Sequence, residues 1–118
     1  SFLSRAQQGQ WTVLDSITFL LLEYPTKEVF SLVRYLAVTA HLLGGIHFII
    51  CYEGVHEEYV LNTLRLLADG VIEFSMKESA RGFEGSLLIR KMQKSLKTKV
   101  IPFSVGDRGI VIETSVRV

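Results

Sequence analysis

The sequence predicts one α/β domain over residues 1–118: a parallel βαβαβ sheet flanked by helices, continuing into antiparallel C-terminal β-hairpins. Three observations predict it. Two apolar runs of strand length, Trp11–Asp15 and Ile46–Cys51, are separated by a stretch of helical period. A second helical stretch then leads into the strand-like "VIEFSM", and alternation of strands with helices argues for parallel pairing through right-handed crossovers. Beyond it, three strand-like runs follow one another on short connections, which reads as hairpins.

In order along the chain, Ser4 to Gln10 is polar and helix-compatible, with Gly9 ending it before the strand Trp11–Asp15. Pro25-Thr26 opens a helix, and Thr26 is suited to be its N-cap. Val29, Leu32, Val33, Leu36, Ala40 and Leu43 recur at helical spacing, and Gly44-Gly45 stop the helix. Phe30, Val38 and Leu42 lie off that stripe, so this helix is expected to be covered on two sides. "IHFIIC" is almost continuously apolar, the pattern of a parallel strand buried on both faces. Glu53 to Glu57 is a loop, and Val60, Leu61, Leu64, Leu67 and Ala68 form a second amphipathic helix. Asp69-Gly70 turns into "VIEFSM". Ser79 to Gly85 reads as a polar turn, followed by "SLLIRKMQ", "KVIPFSV" and "GIVIET", with a hairpin turn at Gly106 to Gly109. No repeat, low-complexity tract or linker divides the chain.

At 118 residues, 48% hydrophobic and 21% charged, the chain has enough apolar material to fold around a core. A net charge of +1 gives no global attraction to nucleic acid or to an anionic membrane, so any such binding needs a local patch. The longest apolar runs fall far short of the roughly 20 residues of a membrane span, and no basic region with a cleavage site marks a signal peptide. The single cysteine, Cys51, has no partner for an internal disulfide and lies in an apolar run. A cytoplasmic location is the expectation. The chain begins with Ser1, which fits a processed product, a trimmed chain or a fragment.

The stretches "WTVLDS", "LADGVIEF", "LLIRKMQ" and "IPFSVGDRGIVI", in this order, resemble the C-terminal half of KaiC-like ATPases, relatives of RecA and RadA in the P-loop NTPase superfamily. The resemblance implies a truncated domain of that type over residues 1–118. By it, Asp15 matches the Walker B carboxylate, which holds magnesium at the β- and γ-phosphates, and Ser16 helps to position it. A hard oxygen ligand at the carboxyl end of a strand suits that ion. Lys91 matches the lysine of a K-M-R motif, which reaches across a subunit boundary toward the neighbour's phosphates, where a cation stabilises charge in phosphoryl transfer.

The sequence departs from the family pattern in two places. Gln93 stands where the motif has arginine, and Lys94 follows it on the opposite strand face. The loop G-x-x-x-x-G-K-S/T is absent, and "GK" occurs nowhere in the chain, so no backbone cradle or lysine serves the phosphates. The family's catalytic carboxylates also precede the Asp-Ser strand. The implied cofactors are therefore none for this chain alone, and ATP with magnesium if a P-loop half is present. In the family's sheet the P-loop strand lies between the strands matching Ile46–Cys51 and Val71–Met76. Without it those strands pair directly, or another chain supplies the filler, or buried edges stay open. A closed-up sheet or an intimate oligomer is the expectation.

Each candidate residue has a plainer reading beside it. Asp15 is either the metal carboxylate or a polar stop at a strand end. Lys91 is either intersubunit or a solvated hairpin lysine. Arg90 to Lys99 holds five basic residues, so Arg90, Lys94, Lys97 and Lys99 form a candidate nucleic-acid patch, though no aromatics interleave the cations for base stacking. In "YEGVHEE", Glu53 or His56 is placed to sense a nucleotide or a partner subunit, while Glu57 and Glu58 suit the N-terminal dipole of the next helix. "VHEEYV" is not a zinc-protease helix, because Val60 stands where the second histidine belongs. His47 and Cys51 share a strand face but stand roughly 13 Å apart at strand rise, too far for one metal. His41 reads as a surface residue.

The leading function is a non-catalytic KaiC/RecA-like protein that acts by self-association or through a partner ATPase. The alternatives are a fragment of an active KaiC-like ATPase whose P-loop half is missing, and a nucleic-acid-binding accessory module.

Overall fold

The computed structural model describes residues 8–80, 82–91 and 99–113. The chain divides into two compact units, Ser1–Ala68 and Asp69–Val118.

The first unit contains β1 (Trp11–Asp15), α1 (Ile17–Glu23), α2 (Thr26–Leu43), β2 (Ile46–Ile50) and α3 (Glu58–Leu67). β1 and β2 pair in parallel, with Trp11 opposite Ile46 and Asp15 opposite Ile50. α1 grows from a near-unbroken apolar run that has no period of its own, so the residue pattern does not announce it. Pro25, not Thr26, occupies the N-cap of α2. Its carbonyl accepts the N–H groups of Glu28 at 3.0 Å and Val29 at 3.2 Å, and Thr26 is the first helical residue. Proline has no N–H to lose and a φ already suited to the helix start. α2 ends at Gly44, whose N–H donates to the Ala40 carbonyl at 2.9 Å. Gly45, at φ +87°, lies against the Gln10 backbone where a Cβ would collide, and this close approach sets β2 beside β1.

The core of this unit is Ile17, Val29 and Val33, with Leu14, Leu20, Ile49 and Leu64 packed around them. One sheet face, carrying Leu14 and Ile49, is thus under the helices. The other is open. Trp11 (67% exposed), Val13, Ile46, Phe48 and Ile50 line it, and Trp11 meets Phe48 edge-on at 5.9 Å. This corrects the expectation of a β2 buried on both faces: an unbroken apolar sequence permits two-sided burial but does not supply the second layer. The same holds for α2, whose Val29, Val33 and Leu36 are buried while Tyr35, Val38 and Leu42 face out. It is covered once.

The second unit is a single antiparallel sheet in the order β3 (Val71–Ser79), β4 (Gly82–Lys91), β5 (Lys99–Gly106) and β6 (Gly109–Ile112). Among the described residues the parallel sheet therefore stops at two strands, and the direct pairing of β2 with β3 is not formed; β3 pairs with β4. The hairpin uses one edge of β3, and its other edge has no partner among the described residues. The turn read at Ser79 to Gly85 is also shorter than the sequence suggests. Ser79 pairs with Gly82, because Phe83 and Glu84 keep the strand's alternation of apolar and polar faces. The second hairpin closes where expected, with Gly106 opposite Gly109. The architecture is mixed α/β, with a parallel two-stranded and an antiparallel four-stranded sheet.

Candidate functional site

The carboxyl ends of β1 and β2 lie side by side, because the strands are parallel and in register at Asp15 and Ile50. The residues that follow each strand therefore share one end of the sheet, the end where open α/β sheets collect ligands. Asp15 closes β1, is exposed, and stands in the row of Trp11 and Val13 on the open face. The Asp15–Ser16 peptide bond is cis. Ser16 is the N-cap residue of α1 and makes no side-chain capping bond.

The centre of this end is Thr18, only 6% exposed in the first turn of α1. Its Oγ1 accepts the Tyr52 N–H at 2.9 Å and lies 3.0 Å from His56 Nε2. Its single hydroxyl proton serves either that nitrogen or the Cys51 Sγ at 3.8 Å. One buried hydroxyl thus ties the chain leaving β2 to the start of α1. Burial pushes the Cys51 thiol up, opposed by the Thr18 hydrogen bond and the Arg65 cation and reinforced by Glu53. The thiol is therefore protonated and unreactive at neutral pH.

Of the residues singled out from sequence, Asp15, Ser16, Glu53 and His56 come to this end of the parallel sheet. Glu53 is exposed in a turn beside Gly54, and His56 is half-buried on Thr18. Thr18 escapes sequence reading, since a lone threonine in an apolar run carries no motif. His47 lies elsewhere, cross-strand from Thr12, with Nδ1 2.6 Å from the Thr12 hydroxyl.

The basic segment divides differently. Arg90 holds Glu73 in a two-point ion pair, Nε to Oε1 at 2.8 Å and the second guanidinium nitrogen to Oε2 at 3.2 Å. Its charge is thereby directed inward to a neighbouring strand. Lys91 ends β4 with its backbone opposite Val71, and its side chain lies outside the described residues, as do Gln93, Lys94 and Lys97. Lys99 is exposed at the start of β5.

Asp15 could supply one hard oxygen, and magnesium accepts few protein ligands. Among the described residues, however, no group of three His, Cys, Asp or Glu side chains is arranged to hold a metal ion. Among them, also, no helix is long and apolar enough to cross a membrane.

No protein-family profile matches the chain, and no curated protein sequence matches it. Among solved structures, a KaiC-like protein from the hyperthermophilic archaeon Pyrococcus horikoshii is similar in fold. The likeness has a TM-score of 0.63 at 24% identity and covers 87% of this chain but 46% of that one. This chain thus spans less than half the length of that protein and has the fold of part of a KaiC-like protein.

Proposed function

We propose that this chain acts by association, with copies of itself or with a partner ATPase, and does not turn over nucleotide on its own. One observation carries the reading: the face bearing Trp11, Val13, Ile46, Phe48 and Ile50 is open and apolar. A two-stranded parallel sheet with one bare face is not a self-sufficient layer. The sequence, which lacks a G-K-S/T loop, supports the same reading. On this reading Asp15 retains the position of a Walker B carboxylate without its companions.

The test is light scattering of the full chain, with and without ATP and magnesium, together with a nucleotide-retention assay. The expected result is association that does not need nucleotide, and no retained ATP. Magnesium-dependent ATP hydrolysis by the chain alone, lost in Asp15→Asn, overturns the proposal.

The open strand edges favour a second reading, in which the chain is part of an active KaiC-like ATPase. Among the described residues β2 is hydrogen-bonded on one side only, and so is β3. Each edge is free to take a further strand. A reading frame that continues upstream through a G-x-x-x-x-G-K-S/T loop supports it; a start codon directly before Ser1 opposes it. The nucleic-acid reading loses Arg90 to its ion pair with Glu73.

A further inference from the structure

We infer that the apolar face of the β3–β6 sheet is a self-association surface on which a second copy of this chain stacks its own β3–β6 sheet, face to face. The inference rests on the association reading above and adds a surface on the other sheet, with a second copy as its partner.

The alternation of the four strands separates two unlike faces. Glu73, Ser75, Lys77, Glu84, Ser86 and Ser104 fall on one, interleaved with Leu88, Val100, Pro102 and Val111, and the Glu73–Arg90 ion pair lies with them. Phe74, Met76, Phe83, Leu87, Phe103 and Ile112 fall on the other. The first face is mixed and the second suits a core, yet among the described residues the unit holds strands alone, with no second layer of its own. Phe74 is 59% exposed, and Met76, Phe83 and Ile112 are each exposed by half or more.

Width selects the occupant. Four strands at about 4.8 Å spacing span roughly 19 Å, and one helix, about 10 Å across, covers only half of that. A sheet of equal width covers all of it at the usual separation of about 10 Å. Strands of eight to ten residues in β3–β5 make the face roughly 30 Å long. Its corrugated surface then approaches the ~800 Å² per partner of a standard stable interface.

Charge selects the orientation. The charged side chains described on this face are Glu78, beside Phe83 at one end, and Lys99, beside Ile89 at the other. A two-fold axis lying between the sheets and perpendicular to the strands brings the Glu78 end of one copy over the Lys99 end of the other, at both ends at once. The aligned arrangement with the opposite sense places like charges together.

Sedimentation equilibrium of the full chain across the micromolar range tests this. A dimer is expected, and Phe74→Glu is expected to weaken it about 100-fold or more, since it buries a carboxylate against an apolar partner. Phe74 is more than half exposed in the single chain but also meets Phe103, so circular dichroism checks that the variant keeps its fold. Lys77→Glu, on the polar face, leaves the dimer intact. Glu78→Lys weakens it, and Glu78→Lys with Lys99→Glu restores it. A chain that stays monomeric throughout overturns the stack, as does a dimer indifferent to Phe74→Glu. Neither result touches association with a partner ATPase, which stands or falls on the hydrolysis assay.

Discussion

Phe103 on β5 stands directly opposite Gly85 on β4, and its ring occupies the space that a side chain at position 85 would fill. Phe103 is 6% exposed and meets Phe74 edge-on at 6.1 Å, so this aromatic pair is the packed centre of an otherwise open face. A Cβ at Gly85 would also press on the Ser75 carbonyl of β3, so the glycine is hemmed in from both neighbouring strands. Gly85→Ala is expected to destabilise the β3–β6 sheet by about 1–3 kcal/mol through overpacking, read as a lower urea midpoint. An unchanged midpoint means that Phe103 and the β3 backbone at Ser75 both give way without cost.

Thr18 carries the junction of β1, α1 and the chain leaving β2. Thr18→Val keeps the shape but leaves the Tyr52 N–H without its acceptor, a loss of about 1–3 kcal/mol. Amide exchange at Tyr52 should quicken in this variant and return toward the parent rate in Thr18→Ser. Equal exchange in all three proteins argues that the hydroxyl does not hold the loop.

The Cys51 thiol titrates above the ordinary thiol range, because burial outweighs the opposing Thr18 and Arg65 contributions. Alkylation at neutral pH should be slower than for a free thiol and should accelerate only at clearly alkaline pH. The sign for stability follows. The folded state holds the proton more tightly, so this contribution is complete below the unfolded thiol pKa and is lost as pH rises through the folded one. Cys51→Ala should flatten the alkaline limb of the stability profile.

Trp11 is the sole tryptophan of the chain and lies on the open face of β1 and β2. Its fluorescence should be water-like and readily quenched by acrylamide in the isolated chain. It should shift to the blue when anything covers that face.

The Arg90–Glu73 pair is cross-strand, with the Arg90 side chain about half exposed and that of Glu73 largely covered. A double-mutant cycle with Arg90→Gln and Glu73→Gln should give a coupling of about 1 kcal/mol or less, shrinking as salt is added. A coupling insensitive to salt contradicts a solvated pair.

The sequence alone is read most successfully where the determinants are local. Trp11–Asp15 is a strand and Thr26–Leu43 a helix closed by Gly44, because periodicity and a left-handed glycine act within a few residues. Its resemblance to the later half of KaiC-like proteins also agrees with the fold, since that rests on the order of elements. Where apolar residues ran without period, as at Ile17 to Leu22, the pattern could not name the element.

What only the tertiary structure decided was which surfaces meet. "IHFIIC" is compatible with burial on either face or both, and the helices cover one. "VIEFSM" has two edges to offer, and among the described residues one of them pairs with β4. Thr18 becomes a hub solely because β2 and the residues after it, more than thirty positions away, are brought against α1. Strand pairing and burial are bargains between distant segments, settled by loop entropy and by the apolar area available to cover each face.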